Sequence, residues 1–136
     1  MPQTDFLVIG SGIAGLTFAL KVAHQLPSAS ITIITKADES ESNTKYAQGG
    51  IAVASNNEFD STEKHIADTL KAGDGICNRK VVEMVVKEGI PRLNEVIRWG
   101  AQFDKKTSGQ FYLGMEGGHS AKRILHHKDI TGLEVE

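Results

Sequence analysis

The stretch that decides the fold is Asp5-Phe6-Leu7-Val8-Ile9-Gly10-Ser11-Gly12-Ile13-Ala14-Gly15-Leu16. Its apolar run, residues 6–9, contains no turn former and predicts a buried parallel strand. Apolar residues then recur at helical spacing, which predicts a helix from about Gly12 to Gln25. Pro27 lies just beyond the predicted end of this helix.

Three glycines between the strand and the helix have the spacing G-x-G-x-x-G. Gly10 permits a tight turn, Gly12 lets a pyrophosphate approach the backbone, and Gly15 lets the helix pack close to the strand. The free N–H groups and positive dipole end of the helix would then face the phosphates. Because the glycines lie between a strand and a helix, they favour dinucleotide binding over a glycine-rich turn in another α/β protein.

Composition narrows the class of protein further. The 136 residues suffice for one small domain, and 15 basic and 17 acidic residues are well mixed, giving a net charge of -2. We therefore expect neither a nucleic-acid patch nor a membrane anchor, and no apolar run approaches the ~20 residues of a spanning helix. Cys77 is the only cysteine, and the N-terminus does not resemble a signal peptide, so we expect a cytoplasmic protein.

A second β-branched strand is predicted at Ile31-Thr32-Ile33-Ile34-Thr35. Strand, helix and strand form a βαβ unit of about 30 residues. In the simplest NAD-binding form an acidic residue follows the second strand, whereas Thr35-Lys36 stands here. Lys36 could reach a phosphate or line the adenosine pocket, or it could be a solvated lysine at a strand end.

The stretch Asn43-Thr44-Lys45-Tyr46-Ala47-Gln48-Gly49-Gly50 combines small and amide residues with two adjacent glycines. Such a backbone can press against a flat ligand, with Gln48 and backbone N–H groups bonding a ring edge. Taken alone, the same stretch could be a surface turn.

Three helices are predicted between residues 60 and 100. The first is capped by Asp60 or Ser61, and the second spans about Arg79 to Glu88. Gly89 and Pro91 interrupt the pattern, so Pro91 is expected in the first turn of a third helix.

The last third of the chain contains the other candidate site. Gln110-Phe111-Tyr112-Leu113 is a short strand candidate, and Asp129 or Thr131 could cap a final helix. Between them, the carboxylate of Glu116 and the imidazole of His119 flank two glycines in a loop. No metal site is expected, since the adjacent histidines at 126 and 127 cannot share a helical face.

The fold class predicted from these patterns is α/β. A complete doubly wound sheet has about five or six strands, whereas only two good parallel-strand candidates are present. We therefore predict the N-terminal part of a Rossmann-like domain, in which a βαβ unit is followed by a helical segment. We also expect the 136 residues to be the N-terminal piece of a longer protein.

Taken together, these motifs resemble the N-terminal part of the L-aspartate oxidases, in the FAD-dependent succinate dehydrogenase and fumarate reductase flavoprotein family. The matching motifs are Gly10 to Gly15, Thr35-Lys36, Thr44 to Ile51, Ala72 to Cys77, Glu116 to Ser120 and Arg123 to Gly132. The resemblance implies that residues 1–136 are the N-terminal fragment of an FAD-binding domain. The capping domain, which carries the family's catalytic arginine, and a C-terminal helical domain would follow.

The resemblance also implies a set of FAD-binding residues. The pyrophosphate would lie at the helix N-terminus, Lys36 would replace the missing acidic residue, and the segment 43–50 would wrap the flavin. The implied contacts are Gly10, Ser11, Gly12, Ile13, Ala14, Gly15, Lys36, Asn43, Thr44, Lys45, Tyr46, Ala47, Gln48, Gly49 and Gly50.

Two positions distinguish subfamilies within the resemblance. Asn43 stands where succinate dehydrogenases and fumarate reductases have a histidine that binds FAD covalently, so non-covalent FAD is expected. Glu116 stands where those enzymes have an apolar residue, and its carboxylate would repel succinate and pair with a substrate ammonium. Opposite charges at about 4 Å are worth roughly 4 kcal/mol at an effective dielectric of 20. A solvated loop acid is the alternative for Glu116, and His119 would lie near the flavin, orient Glu116 or make a structural hydrogen bond.

The implied reaction is the FAD-dependent oxidation of L-aspartate to iminoaspartate, the first step of NAD biosynthesis. Hydride would pass from Cα to the flavin, and oxygen or fumarate would be the electron acceptor. Quinolinate synthase could accept the unstable imine. The alternatives are a soluble fumarate reductase or succinate dehydrogenase flavoprotein and a non-catalytic FAD-binding module. The 136-residue piece alone is expected to be inactive.

Overall fold

The structure is a computed structural model that describes residues 3–36, 38 and 41–136. The chain divides into two compact units, one formed by Met1–Gln48 with Ile130–Glu136 and the other by Gly49–Asp129. In chain order, the elements are β1 (Phe6–Ile9), α1 (Ile13–Gln25), β2 (Ile31–Ile34), β3 (Ile51–Ala52), α2 (Thr62–Ala72), α3 (Arg79–Trp99), β4 (Leu113–Gly114), β5 (Ile124–Leu125) and α4 (Thr131–Val135).

The first unit contains the predicted βαβ arrangement. β1 and β2 are parallel, with Phe6 opposite Ile31 and Ile9 opposite Ile34. The rings of Phe6 and Phe18 meet edge to face at 6.1 Å, so α1 packs on β1. Asp5 ties the two strands together because its Oδ2 accepts hydrogen bonds from the backbone and side chain of Ser30, both at 2.8 Å.

The prediction that β1 is buried was wrong for most of its residues. Val8 is buried, whereas Leu7 is 56% and Ile9 is 81% exposed. The reason is that one neighbouring strand and one helix cover only part of the apolar run. Parallel strands need cover on both faces to be fully buried.

The second unit contains a small antiparallel sheet that the sequence analysis did not predict. Its order is β3-β5-β4, with Ile51 and Leu113 both opposite Leu125. The candidate strand at 110–113 overlaps it only at Leu113, and Phe111 instead makes an isolated bridge with Lys105. Strands of two residues are too short to show the alternation by which strands are recognised.

The helices of the second unit follow the prediction in part. Ser61 is the cap of α2, because its Oγ accepts from the N–H of Lys64 at 3.2 Å. Asn78 caps α3 in the same way, and Gly100, with φ of +121°, follows its last residue.

The predicted break at Gly89 and Pro91 was wrong, since α3 is one helix of 21 residues with Pro91 inside it. Proline removes one helical hydrogen bond, but here it lies on the exposed side. The apolar face continues past it without a change of phase, and its members are at least half-buried: Val82, Val86, Ile90, Leu93 and Ile97. Packing of this continuous face outweighs the local cost of proline.

The cap predicted for the last helix was also wrong. The capping position of α4 is Ile130, which makes no side-chain cap hydrogen bond, so neither Asp129 nor Thr131 has this role. The first turn of α4 instead lies against residues 44–47 of the same unit, where the N–H of Gly132 donates to the carbonyl of Ala47 at 2.9 Å. Within the described residues, none of the helices combines the length and apolar character needed to cross a bilayer.

Candidate functional site

The glycine loop between β1 and α1 adopts a geometry that only glycine tolerates. Gly10 has φ of +106°, which L side chains rarely adopt, and its N–H donates to the carbonyl of Ile34 at 2.8 Å. A Cβ on Gly15 would lie 2.1 Å from the carbonyl oxygen of Gly10 and 3.1 Å from Val8 Cγ1. The start of α1 therefore packs directly against the end of β1.

The N-terminus of α1 offers backbone donors to an anion. Its capping residue is Gly12, which provides no side-chain cap, and the first turn contains no acidic residue. The N–H of Ile13 donates to Thr44 Oγ1 at 3.1 Å. Ser11 is buried, with its Oγ 3.4 Å from Thr35 Oγ1. Unsatisfied first-turn N–H groups combined with the helix dipole are the ordinary means of holding a phosphate.

A cavity of about 580 Å³ lies beside this loop, within the first unit. Its volume is within the range of small-molecule sites. It is lined by the glycine loop, the end of β2 and the polar turn that follows: Ile9, Gly10, Ser11, Gly12, Ile34, Thr35, Lys36, Glu41, Ser42, Asn43 and Thr44. The structure thus brings the separately predicted Lys36, Asn43 and Thr44 to the glycine loop. One cation, the uncapped helix and the close approach allowed at Gly12 fit a diphosphate.

The other residues predicted to bind a cofactor are placed differently. Lys45, Tyr46, Ala47 and Gln48 belong to the first unit but do not line the cavity, whereas Gly49 and Gly50 belong to the second. The turn is closed by hydrogen bonds from Ala47 N–H to the carbonyl of Thr44 and from Lys45 N–H to Ser42 Oγ, both at 3.1 Å.

Gly50 is packed against β5 of its own unit. A Cβ added to Gly50 would lie 2.3 Å from Ile124 Cγ2 and 2.4 Å from the carbonyl oxygen of Leu125. This contact accounts for the second glycine of the pair without any ligand.

Glu41 is a cavity residue that the sequence analysis missed. Its carboxylate accepts hydrogen bonds from the Tyr46 hydroxyl at 2.7 and 2.9 Å and lies 3.4 Å from Lys45 Nζ. The Tyr46 hydrogen bond lowers the pKa of Glu41, and the same bond raises the pKa of Tyr46. The NAD-binding pattern has its acidic residue directly after the second strand, whereas the acidic residue that lines this cavity is Glu41, further along the chain.

The candidate substrate residue Glu116 lies on an exposed loop of the second unit. The carbonyl of Glu116 accepts from the N–H of His119 at 3.2 Å, and Gly118 between them has φ of +83°. Among the described residues, the Glu116 carboxylate has no side-chain hydrogen bond or ion pair. The loop is therefore closed by its backbone and presents a solvent-facing carboxylate.

The imidazole of His119 bonds Arg123 and not Glu116. Arg123 Nη1 lies 3.0 Å from His119 Nδ1. Because a guanidinium can only donate, Nδ1 is the acceptor and the neutral ring carries its proton on Nε2. The ring also lies 5.5 Å from that of His65. Of the alternatives for His119, the structure favours the structural hydrogen bond.

A buried ionic network behind this loop was not anticipated by the sequence analysis. We call it the Arg123 cluster, formed by Asp60, Asp68, His119, Ser120 and Arg123. The side chains of Arg123 and Asp60 are 0% and 2% exposed, and Nη2 and Nε of the arginine lie 2.6 and 3.1 Å from the carboxylate oxygens of Asp60. Arg123 Nη1 donates to Asp68 Oδ2 at 2.7 Å. A buried arginine thus has a carboxylate on each side, as a desolvated cation requires.

The cluster shifts the pKa values of its members. Burial raises the pKa of Asp68, but the backbone N–H of Ser120 and the guanidinium of Arg123 outweigh it and hold that pKa at about 2. The pKa of Asp60 is also lowered, because Arg123 outweighs burial. Burial and the charge of Arg123 lower the pKa of the neighbouring His65. The acids are 55 and 63 positions from Arg123, so no local pattern could have indicated them.

Comparison with known proteins identifies the type of domain. The sequence profile described as FAD binding domain matches residues 5–134. The chain is 48% identical over 132 residues to L-aspartate oxidase 2-a, chloroplastic, of Nicotiana tabacum, covering 97% of this chain and 20% of the relative. It is 44% identical over 137 residues to the L-aspartate oxidase of Yersinia pestis, covering 98% of this chain and 25% of the relative. The chain therefore spans between a fifth and a quarter of these relatives.

Two solved structures of other proteins have a similar fold. A structure of the E. coli quinol fumarate reductase FrdA is 30% identical, with a TM-score of 0.89, covering 98% of this chain and 23% of that one. The Mycobacterium smegmatis Sdh1 complex is 32% identical, with a TM-score of 0.86, covering 97% of this chain and 22% of that one. The mixed α/β fold is thus shared with these proteins. Since the profile match spans nearly all of its residues, the chain belongs to the FAD binding domain family and its cofactor is FAD.

Proposed function

We propose that this chain is the FAD-binding part of an L-aspartate oxidase. The observation that carries the proposal is an identity of 42–48% to several proteins of that name over 96–98% of the chain. Because the chain spans only 20–25% of those relatives, the activity belongs to the whole protein that contains it. We expect the 136 residues alone to be inactive, and the two-stranded parallel sheet to be part of a larger Rossmann-like sheet.

The first unit binds the nucleotide portion of FAD in this proposal. The N-terminus of α1, whose capping residue Gly12 has no side chain, holds the diphosphate, and Lys36 contributes a positive charge at the end of β2. The segment 43–50 contacts the flavin. Asn43 lines the cavity and has no nucleophilic ring nitrogen, so FAD is held without a covalent bond. When bound, FAD supplies the redox chemistry of the reaction.

Glu116 recognises the substrate in this proposal. Its exposed carboxylate pairs with the ammonium group of L-aspartate and disfavours succinate, which has no cation to offer. His119 holds the loop through its hydrogen bond to Arg123 and through its N–H to the carbonyl of Glu116. The remaining substrate contacts lie in the part of the protein outside this chain.

The reaction would remove a hydride from Cα and a proton from the amino nitrogen of L-aspartate to give iminoaspartate, and oxygen or fumarate would finally take up the two electrons. We place it at the first step of NAD biosynthesis in the cytoplasm, with quinolinate synthase as the enzyme that uses the imine. Two features of the composition support this location: acidic and basic residues are nearly balanced, and the chain has a single cysteine.

A soluble fumarate reductase or succinate dehydrogenase flavoprotein is the second candidate. The observation in its favour is the structural likeness to the E. coli quinol fumarate reductase FrdA and the Mycobacterium smegmatis Sdh1 complex, with TM-scores of 0.89 and 0.86. Asn43 and Glu116 disfavour it, because they replace the covalent flavin ligand and the apolar substrate contact that the family resemblance implies for those enzymes. A non-catalytic FAD-binding module is the third candidate.

The first experiment uses the purified full-length protein that contains this chain. Its visible spectrum is recorded before and after acid precipitation, and the flavin absorbance is followed anaerobically after adding L-aspartate or succinate. We expect yellow colour in the acid supernatant and bleaching by L-aspartate alone. Bleaching by succinate alone would establish the second candidate, and colour in the pellet would refute non-covalent binding. Bound flavin that neither substrate bleaches would establish the non-catalytic module.

Glu116→Gln tests the substrate contact because it removes the charge and keeps the shape. We expect kcat/KM for L-aspartate to fall at least about tenfold, with FAD content unchanged. Glu58→Gln, at an exposed acid of the same unit, is the matched control and is expected to behave as wild type. Equal kinetics in the two variants would remove Glu116 from the proposal.

A further inference from the structure

The loop that carries Glu116 is fixed at both ends by contacts within the second unit. At its start, β4 pairs with β5, and the N–H of Arg123 donates to the carbonyl of Gly114 at 3.1 Å. At its end, both the N–H and the Oγ of Ser120 donate to Asp68 Oδ2 at 2.8 Å. The β-pairing anchors one end through backbone alone, whereas the other end depends on one carboxylate of α2.

The same oxygen of Asp68 also accepts from Arg123 Nη1 at 2.7 Å, so it receives three hydrogen bonds. Arg123 Nη1 in turn lies 3.0 Å from His119 Nδ1. Asp68 and Arg123 thus hold two consecutive loop residues, and Asp60 anchors the guanidinium from its other side. Charge-assisted hydrogen bonds of this kind are short, directional and about twice as strong as neutral ones.

These contacts involve residues close enough to Glu116 in sequence to fix the position of its backbone. The N–H of His119 closes the turn onto the carbonyl of Glu116, so a shift at 119 and 120 moves the backbone of 116 directly. Displacements of about 1 Å at a substrate contact can cost two orders of magnitude in rate. The Glu116 carboxylate has no other side chain holding it among the described residues.

We propose that Asp68 is a positioning residue for Glu116: it holds the substrate-recognition loop through Ser120 and Arg123 without itself touching the substrate. The proposal rests on the proposed function, since it assigns a purpose to the position of Glu116. An asparagine at 68 would keep the size of the side chain but lose the charge that gathers three donors on one oxygen.

The test is a double-mutant cycle in the FAD-loaded full-length protein that contains this chain. Asp68→Asn is made alone and in the Glu116→Gln background, and kcat and KM for L-aspartate are measured with FAD content. We expect Asp68→Asn alone to raise KM about tenfold, the loss of roughly one charge-assisted hydrogen bond, with full FAD content. In the Glu116→Gln background the same change is expected to alter KM less than twofold, because the carboxylate being positioned is gone.

Two further variants keep the proposal falsifiable. Asp74→Asn is the matched control, since Asp74 is an exposed acid beyond the end of α2 whose side chain makes no hydrogen bond or ion pair with the loop among the described residues. Ser120→Ala removes one of the three donors while keeping its N–H, and it is expected to raise KM roughly two- to threefold if Asp68→Asn fails to fold. The proposal would be overturned if the KM changes of Asp68→Asn and Glu116→Gln simply multiplied in the double variant. An unchanged KM in Ser120→Ala would also overturn it.

The proposed function is judged separately by the wild-type protein. A wild type that oxidises L-aspartate while the Asp68 variant matches it refutes only the positioning role. A wild type that binds FAD but ignores L-aspartate refutes the proposed function, and the positioning role is refuted with it.

Discussion

Single residues decide whether the nucleotide loop can form, and Gly15 is the sharpest case. A Cβ there would meet the carbonyl oxygen of Gly10 at 2.1 Å, a backbone atom that cannot turn away. For Gly15→Ala we expect a destabilisation of about 1–3 kcal/mol and a loss of FAD binding. Thermal unfolding and flavin content measure both. Gly89→Ala is the control, because its Cβ would make an ordinary 3.8 Å contact with Val53 Cγ2 and favour the helix.

Asp68 is a single residue that makes the stability of the second unit sensitive to acid. Its folded-state pKa of about 2 lies below its usual 3.8, so the unfolded chain binds the proton more readily. The stabilisation is therefore complete above about pH 4 and is lost as the pH falls towards 2, a difference of roughly 2 kcal/mol. Unfolding by denaturant is measured at several pH values for both variants. The free energy of unfolding should change less steeply with pH in Asp68→Asn than in Asp74→Asn. Parallel slopes in the two variants would contradict this assignment.

The helices show how tertiary packing can override a local signal. Pro91 indicated a break, yet the apolar face of α3 continues through it, so the proline is tolerated at a cost. Pro91→Ala should restore a backbone N–H that can donate to the carbonyl four residues earlier in the helix. We therefore expect a stabilisation of about 1–3 kcal/mol. The midpoint of thermal unfolding measures it. Ala67→Pro, in the middle of α2, should have the opposite effect; a destabilised Pro91→Ala would mean that the proline is required.

The short helix α4 supports the nucleotide turn from the far end of the sequence. A Cβ on Gly132 would lie 1.8 Å from the carbonyl oxygen of Thr44 and 2.8 Å from that of Ala47. Gly132→Ala should therefore displace the turn that bonds the start of α1 and weaken FAD binding at least about tenfold. Flavin titration of the apoprotein measures this. Leu133→Ala, at the next and exposed position, is expected to leave the affinity unchanged; equal losses in both variants would point to the helix as a whole.

For the whole molecule, the sequence predicted what local patterns encode. The apolar run with the three glycines indicated the βαβ unit and its anion-binding turn, and the polar pair Asp60 and Ser61 indicated the start of α2. The two-residue strands, the return of Glu41 to the cavity and the Arg123 cluster depend on partners far along the chain, which leave no periodic trace. The same is true of Gly132, because the lack of room for a Cβ at this position is visible only when the turn that it contacts is known.

The place of α4 in the first unit has a consequence for how this polypeptide is made. Residues 130–136 are joined to a unit that otherwise ends at Gln48, and the whole of 49–129 is translated between them. The emerging chain must therefore hold an unfinished nucleotide site while the ribosome adds about 80 residues, at roughly 5–20 per second. The turn at 44–47 gains its contact with Gly132 only when that residue has left the exit tunnel, so the first unit is completed after the second unit has been synthesised.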